Sequence, residues 1–360
     1  FSPPQCPNPD CAHYDAPVIR DWYRSIGHYS TKTFGPVPRF KCRTCRTGFS
    51  SQTFSIDYYA KRRLDYTYIY HKINDGAGLR KIGRDIGASC DSVINRINRM
   101  ARNATLAGRQ IVDLLPLRED LVLDGLQNFC ISQYFPDHYT IAVGKDSRFV
   151  YECDYATIRR AGRMTADQKK RREEIERRFR ANRRSIEKSF TRVLRSIDMK
   201  SSERTTPLIL YTDEKSDYRR SLWEDKHIRE KMFTGEWRHH MVNSKVGRNT
   251  RNPLFAANYI DREIRKDMAS QARETVQFPR NAANAMLRMN LYLFDHNHFK
   301  PYRIIRRVEG DHQSHAEAAG LERQALERIL EGFFSSRYFK PKGLALSESA
   351  RRTLSRDWET

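Results

Sequence analysis

The sequence predicts a multidomain protein that joins a small β zinc ribbon, a helical helix-turn-helix segment and an α/β domain with a charged helical insertion. Three observations predict this fold class. Four cysteines stand in two close pairs near the start of the chain, and apolar residues follow a helical spacing between residues 78 and 102. Further along, two short apolar runs each end on an aspartate. We therefore expect several structural units in this chain of 360 residues.

Changes in residue pattern along the chain give the expected boundaries. We predict a zinc ribbon over residues 1–55, a helix-turn-helix over 56–108, an α/β domain over 109–310 and a helical tail over 311–360. Within the α/β domain, residues 162–200 are expected to form a charged helical insertion that packs by one apolar stripe. The stripe consists of Phe179, Ile186, Phe190, Val193 and Ile197. The tail is expected to begin with a helix from Ala316 to Phe333.

The strongest bulk property of the chain is its positive charge. It has 66 Lys and Arg residues against 44 Asp and Glu residues, which gives a formal net charge of +22. Such a charge suits a polyanionic partner, and nucleic acid is the leading candidate. No apolar run approaches the length of a membrane span and no signal-peptide pattern is visible, so we expect a soluble, cytoplasmic protein with no membrane partner.

The paired cysteines predict a zinc site. Cys6 and Cys11 form one knuckle and Cys42 and Cys45 the other, and tetrahedral zinc needs four such ligands. Two disulfides are the alternative, but they require an oxidising compartment. His13 and His28 are lone histidines that offer substitute ligands, and short strands are expected at Val18–Ile26 and Arg39–Lys41. Beside the second knuckle, Arg43 and Arg46 are candidates for DNA contact or form a solvated basic face.

The following segment has the spacing of a helix-turn-helix. A supporting helix is expected at Tyr66–Ile73, and the stretch Gly78–Arg102 predicts a short helix, a break at Gly87 and a second helix capped by Ser89. Val93, Ile94 and Ile97 should point inward in the second helix. The polar residues expected to point away and contact DNA are Asn95, Arg96, Asn98 and Arg99. A generic helical hairpin is the alternative.

Two carboxylates mark the ends of expected buried strands. Within the stretch Glu119–Leu126 an apolar run ends on Asp124, and a second apolar run, Pro207–Asp213, ends on Asp213. If these strands are neighbours in one sheet, the two acids lie side by side and favour a hard cation, Mg²⁺ or Mn²⁺, between them. The alternative is that each aspartate simply opens a turn.

The rest of the α/β domain supplies further strands and a third acid. A hairpin is expected from Tyr139–Val143 and Arg148–Cys153, with another strand at Glu236–Asn243. A helix is expected at about Ala256–Ala272. It carries three acids, of which one should be the third metal ligand: Asp261, Glu263 and Asp267.

Taken in order, these features resemble bacterial insertion-sequence transposases of the RNase H-like DDE superfamily. The resemblance rests on the knuckles, the helix-turn-helix, Leu-Asp-Gly at Asp124, Tyr-Thr-Asp at Asp213, and the segment around Asn258-Tyr-Ile-Asp-Arg-Glu. In that family the third acid is a Glu followed by Arg and by a second Arg three residues later. Asp261 with the arginines after it fits this frame with Asp in place of Glu, and Glu263 is the alternative.

The resemblance implies an activity and partners. Asp124, Asp213 and Asp261 would hold Mg²⁺ or Mn²⁺ and cut the ends of a mobile element, and the freed 3′-hydroxyl would then attack target DNA. The partners would be double-stranded DNA and, when two ends are paired, further copies of the chain. The alternative function is a catalytically inactive DNA-binding regulator derived from such an enzyme.

Overall fold

The computed structural model describes residues 1–202, 204–243, 245–247, 249–303 and 312–358. The boundary expected at residues 310 and 311 lies outside these ranges. Over the described residues the chain is a mixed α/β protein with a small antiparallel sheet and a five-stranded mixed sheet. No helix within these ranges is both long enough and apolar enough to cross a membrane.

The N-terminal sheet has three antiparallel strands, Tyr23–Thr31 (β1), Gly35–Cys42 (β2) and Gly48–Ser50 (β3), in the order β1-β2-β3. The first strand begins later than the expected Val18–Ile26, because residues 18–21 form bends and turns. Aromatic side chains pack with the buried cysteines on this sheet: Trp22, Phe40, Phe49 and Phe54. The ribbon therefore has a small core of its own.

Three helices follow, Tyr66–Asn74 (α1), Leu79–Asp85 (α2) and Cys90–Leu114 (α3). Ser89 caps α3, as expected, because its side chain accepts a hydrogen bond from the backbone N–H of Ser92. Gly87 separates α2 from α3 with a φ of +59°, a left-handed conformation that glycine adopts at little cost. The predicted order of helix, break and capped helix is present.

The larger sheet contains the strands Leu121–Phe129 (β4), Pro136–Gly144 (β5), Val150–Thr157 (β6), Leu208–Thr212 (β7) and Trp237–Met241 (β8). Its spatial order is β6-β5-β4-β7-β8. The first three strands are antiparallel to one another, whereas β7 runs parallel to β4 and β8 runs parallel to β7. The expected hairpin and the expected strand near residue 240 are both present.

The remaining described helices are Ala166–Glu176 (α4), Ser185–Ser201 (α5), Ser216–Glu224 (α6), Lys226–Thr234 (α7), Phe255–Asp267 (α8), Ala282–His298 (α9), His315–Ala318 (α10), Arg323–Leu330 (α11) and Glu348–Ser355 (α12).

Side chains along β4 point alternately to the two faces of the larger sheet. Leu121 and Leu123 pack in the apolar cluster that includes α5 and α6, while Val122 and Leu126 pack in the cluster that includes α8. Both faces of β4 are covered, which explains its uninterrupted apolar start.

The helical segment shares a core with the α/β domain. α3 continues past residue 108 and packs along α9. Ile111 of α3 lies in the same buried cluster as Leu123 of β4 and Phe190 of α5. The helices and the larger sheet are therefore held together by one continuous apolar core.

The expected insertion at residues 162–200 is not one packing unit. α4 buries none of its residues, whereas α5 buries Phe190, Val193 and Ile197 and covers the larger sheet. Phe179 lies between the two helices and contacts the ring of Phe135. The predicted stripe is present from Ile186 to Ile197, where its residues pack in the main core, but Phe179 does not belong to it because turns between α4 and α5 break the helical spacing.

Two expected helix bounds also require correction. The helix predicted from Ala316 to Phe333 is divided into α10 and α11 by Gly320, whose φ of +107° does not occur in a right-handed helix. The helix predicted from Ala256 to Ala272 is α8, which ends at Asp267.

Candidate functional site

The four N-terminal cysteines meet at one point. Cys6 and Cys11 lie on the loop before β1, Cys42 ends β2, and Cys45 lies in the turn that follows. All four Sγ atoms lie within 4.8 Å of one another, and none of the cysteines forms a disulfide. Sγ–Sγ distances of 3.5 Å (Cys6 to Cys45) and 3.7 Å (Cys11 to Cys42) compare with edges of roughly 3.8 Å for a tetrahedron with zinc–sulfur bonds of about 2.3 Å. The donor set fits Zn²⁺.

Backbone hydrogen bonds shape the two knuckles. The N–H of Cys11 donates to the carbonyl of Asn8 at 3.0 Å, and the N–H of Cys42 donates to the carbonyl of Thr47 at 2.9 Å. His13 is not a ligand, because both of its ring nitrogens contact other groups, Thr44 Oγ1 and the backbone N–H of Val18. The shell therefore consists of the four cysteines.

The C-terminal part of the chain anchors this ribbon. The Tyr14 hydroxyl donates to the carbonyl of Lys340 at 2.8 Å, and Lys342 Nζ donates to the carbonyl of Cys11 at 2.9 Å. The N–H of Arg337 donates to the carbonyl of Phe54 at 2.7 Å. The zinc knuckles are thereby fixed relative to a segment that lies some 300 positions later in the sequence.

The two strand-end carboxylates occupy neighbouring strands of the larger sheet. Across the parallel pair, Leu121 is level with Leu210 and Val122 with Tyr211. The same offset makes Asp124 level with Asp213, which directly follows β7. Because adjacent strands lie about 4.8 Å apart, the two side chains start from neighbouring backbones.

The third candidate acid lies on the helix that covers the same face. Ile260 and Ile264 of α8 pack in the cluster that contains Val122 and Leu126, the residues on either side of Asp124 on that face of β4. Asp261 follows Ile260 and is half-buried, as are Asp124 and Asp213. In the described part of the chain, however, the carboxylate oxygens of these acids do not converge as the four sulfurs do.

A tyrosine and a lysine lie beside these acids. Burial raises the pKa of the Tyr218 phenol well above its usual value, and four carboxylates raise it further: Asp124, Asp213, Asp217 and Asp261. Burial lowers the pKa of Lys215, while the neighbouring carboxylates of Asp217, Asp213 and Asp124 oppose this effect. Tyr218 therefore remains a neutral phenol within electrostatic reach of all three candidate acids.

The alternative third acid has other partners. Glu263 Oε1 lies 2.8 Å from Lys266 Nζ, and Glu263 Oε2 lies 3.8 Å from Lys300 Nζ. The Glu263 carboxylate raises the pKa of Lys266, as expected for a formed ion pair. Asp261, unlike Glu263, is among the groups that act on Tyr218.

A buried histidine packs over the glycine that follows Asp124. His138 of β5 is fully buried, and neither ring nitrogen has a hydrogen-bond partner among the described residues. Burial lowers its pKa to about 3, and Lys215 adds to the effect, so the ring is neutral at physiological pH. His138, Lys215 and Tyr218 were missed by sequence reasoning, although Lys215 and Tyr218 closely follow Asp213 in the sequence.

Gly125 has no room for a side chain, and we expect Gly125→Ala to be destabilising. A Cβ atom at Gly125 would lie 1.8 Å from His138 Cε1, so the ring or the strand must move. Overpacking of this kind costs about 1–3 kcal/mol, measurable as a lower urea midpoint. Gly108→Ala is the matched control, because its Cβ would meet Phe294 at an ordinary 3.8 Å. If Gly125→Ala lowers stability as much in a His138→Ala background as in the original protein, the steric explanation is wrong.

The candidate DNA-contacting residues fall into two groups. Arg43, Arg46 and Asn95 are exposed. Arg96 was expected to point outward, but the structure contradicts this: it is 5% exposed, and its guanidinium lies 3.8 Å from Asp57 and donates to the carbonyl of Arg62. Those internal acceptors explain why the helix turns this charged residue inward.

The other two candidates are half-buried and also have internal partners. Asn98 Nδ2 lies 3.5 Å from Asn284 Oδ1. Arg99 donates to the carbonyl of Ile56 at 2.6 Å, and its guanidinium lies 4.2 Å from the centre of the Tyr58 ring. Of the four α3 residues expected to point outward, Asn95 is the exposed one.

Because Arg96 is buried, we expect Arg96→Ala to act on folding. Its removal takes the guanidinium away from the Arg62 carbonyl and the Asp57 carboxylate and should lower the free energy of unfolding by about 2–4 kcal/mol. Arg102→Ala, an exposed change on the same helix, should stay within about 0.5 kcal/mol of the original protein. Equal urea midpoints for the two variants would contradict a structural role for Arg96.

No protein-family model matches this chain, and no curated protein is similar to it in sequence.

Proposed function

We propose that this chain is a metal-dependent DNA transposase of the RNase H-like DDE superfamily, which its motifs resemble. The observation that carries the proposal is the alignment of Asp124 and Asp213 on adjacent parallel strands, beneath the helix that bears Asp261. Three carboxylates from separate elements on one face of a sheet are a donor set suited to Mg²⁺ or Mn²⁺.

The order of the strands supports the same proposal. The antiparallel strands β4, β5 and β6 come first in the chain. The parallel strands β7 and β8 follow and lie on the other side of β4, which gives the order β6-β5-β4-β7-β8. β4 and β7 are neighbours in this order, so Asp124 on β4 and Asp213 directly after β7 start from adjacent strands.

The proposed cleavage uses the three acids and two side chains beside them. Asp124, Asp213 and Asp261 would hold the divalent metal, which supplies water activation and charge stabilisation for phosphodiester cleavage. Lys215 lies beside the acids and lessens their mutual repulsion. The buried, neutral Tyr218 adds no charge and excludes bulk water beneath them.

The charge and the N-terminal units support DNA as the partner. A net charge of +22 favours phosphate binding, and exposed Arg43 and Arg46 border the zinc ribbon. Asn95 lies on the exposed side of α3, near the start of the second helix of the predicted helix-turn-helix. Element ends and target DNA would be the substrates, with a homo-oligomer formed on paired ends inside a bacterial cell.

Strand cleavage of the DNA that flanks the gene tests this function. Labelled flanking DNA is incubated with the full chain and Mg²⁺ or Mn²⁺, beside Asp213→Asn. We expect new 3′-hydroxyl ends at a repeat boundary with the original protein and none with Asp213→Asn, whereas both bind the DNA equally. Cleavage by both proteins would contradict the three-acid site.

A second candidate is a catalytically inactive regulator that binds DNA through the ribbon and helices. The observation in its favour is that the three carboxylates do not converge within metal-ligand distance of one another. Sequence-specific binding without cleavage under Mg²⁺ or Mn²⁺, by both the original protein and Asp213→Asn, would favour this candidate.

A further inference from the structure

A second feature of the molecule suits nucleic acid and is separate from the acids. It is a groove of about 820 Å³ between the zinc-ribbon sheet and the segment Tyr58–Lys61, which we name the ribbon groove. Its volume is within the range of about 300–1,000 Å³ of sites that enclose small ligands. A single unstacked nucleotide is of that class.

The charge of the ribbon groove is entirely positive. Four cationic side chains line it, Lys32, Arg39, Lys61 and Arg337, and no Asp or Glu does. None of the four forms an ion pair with an acid in the part of the chain that the structure describes. Unneutralised cations around a concave surface attract a polyanion.

The walls of the groove are held in place. The Thr33 hydroxyl at the tip of the β1–β2 hairpin donates to the carbonyl of Lys61 at 2.7 Å. On the opposite side, the Tyr58 ring lies between the guanidinium groups of Arg99 and Arg337, each 4.2 Å from its centre. The groove is therefore a formed surface, and binding need not order it first.

One aromatic side chain in the groove is free to stack on a ligand. The Tyr59 side chain is 92% exposed, and its φ of +54° is a strained conformation for a tyrosine. An open aromatic face of this kind suits base stacking.

From these contacts we propose that the ribbon groove binds unpaired DNA nucleotides, with a base stacked on Tyr59 and phosphates held by Lys32 and Lys61. Bases within a duplex are already stacked on each other, so we expect the exposed Tyr59 ring to stack on unpaired bases. The inference rests on the proposed function in taking DNA as the partner. It assigns the groove to unpaired nucleotides of the bound DNA.

Fluorescence anisotropy tests the proposal with the full, zinc-loaded chain and no added Mg²⁺ or Mn²⁺. One probe is a labelled oligothymidine of about 12 nucleotides, a length typical of single-strand sites, and the other is a blunt duplex of equal length. The variant is Tyr59→Asn, since asparagine tolerates a positive φ. Phe233→Ala is the control, because this ring is 73% exposed on α7 and does not line the groove.

Loss of one base stack should weaken oligothymidine binding about ten-fold in Tyr59→Asn and duplex binding less than about two-fold. Phe233→Ala should change neither. Equal losses on both probes, or no loss on either, would overturn the groove assignment while leaving the cleavage assay to judge the proposed function. If the original protein does not bind oligothymidine, the groove assignment fails, and the cleavage assay on flanking DNA still judges the proposed function.

A cross-linking measurement checks the contact without a variant. An oligothymidine that carries one 5-iododeoxyuridine is irradiated in complex with the original protein, and the modified peptide is found by mass spectrometry. We expect the cross-link within residues 56–63, which include Tyr59. A cross-link confined to other segments would also overturn the assignment.

Discussion

Replacing Cys42 with serine will release the metal and unfold the zinc ribbon. Three sulfurs and a hydroxyl hold Zn²⁺ poorly, and in zinc-finger peptides metal binding contributes about 10–16 kcal/mol of folding free energy. The aromatic cluster around Trp22 and Phe40 is too small to replace that contribution. The original protein should carry one zinc per chain by elemental analysis, and the Cys42→Ser protein should carry none.

The damage from Cys42→Ser should be confined to the N-terminal part. The larger sheet and its helices have separate apolar clusters, so they should stay folded while residues 1–55 become sensitive to protease. Cys90→Ser is the control, since Cys90 lies at the start of α3 and outside the cluster of four. Full zinc content or a protease-resistant ribbon in Cys42→Ser would show that the four cysteines are not a structural zinc site.

The acid site should respond to single isosteric changes at three positions. Asp124→Asn, Asp213→Asn and Asp261→Asn should each lower the rate of metal-dependent DNA cleavage at least about 100-fold, because each removes a negative metal ligand but keeps the size of the side chain. The measurement is the single-turnover cleavage rate, with DNA affinity measured in parallel. Affinity should remain within about three-fold, since the basic surface is unchanged.

Two neighbouring acids provide matched controls. Asp217→Asn should leave cleavage nearly unchanged, because Asp217 pairs with Arg220 at 3.1 Å. Glu263→Gln should also be close to the original rate, since its carboxylate pairs with Lys266. If Glu263→Gln abolishes cleavage and Asp261→Asn does not, the third acid is Glu263.

The sequence predicted those elements whose signal is local. The apolar runs before Asp124 and Asp213 indicated strands because both faces of such strands are covered, and Ser89 indicated a helix start because capping involves residues three apart. The sequence could offer only a hypothesis that Asp124 and Asp213 lie side by side. Their alignment depends on the register between β4 and β7, which are separated by a long stretch of chain.

The sequence did not reveal α9, and the reason is its environment. This helix is buried around most of its circumference, so its apolar residues form no single stripe. Its last turns contain the buried polar residues Asp295, His296, Asn297 and His298, which resemble an exposed segment when only composition is considered.

The inward orientation of Arg96 was equally unpredictable from spacing alone. Besides Asn95 on the same helix, its guanidinium contacts Asp57 and the carbonyl of Arg62, which lie outside α3 and which no periodicity within α3 indicates. The zinc cluster could be predicted because two close cysteine pairs imply four ligands whatever lies between them.

Manganese binding tests the central claim, that carboxylates of β4, β7 and α8 form one divalent-metal site. Free and bound Mn²⁺ are counted by electron paramagnetic resonance in the zinc-loaded chain with DNA present, for the original protein and for the double variant Asp124→Asn/Asp213→Asn. We expect at least one saturable Mn²⁺ site per chain in the original protein and its loss in the variant. Equal Mn²⁺ binding by both proteins would show that these acids do not hold the metal.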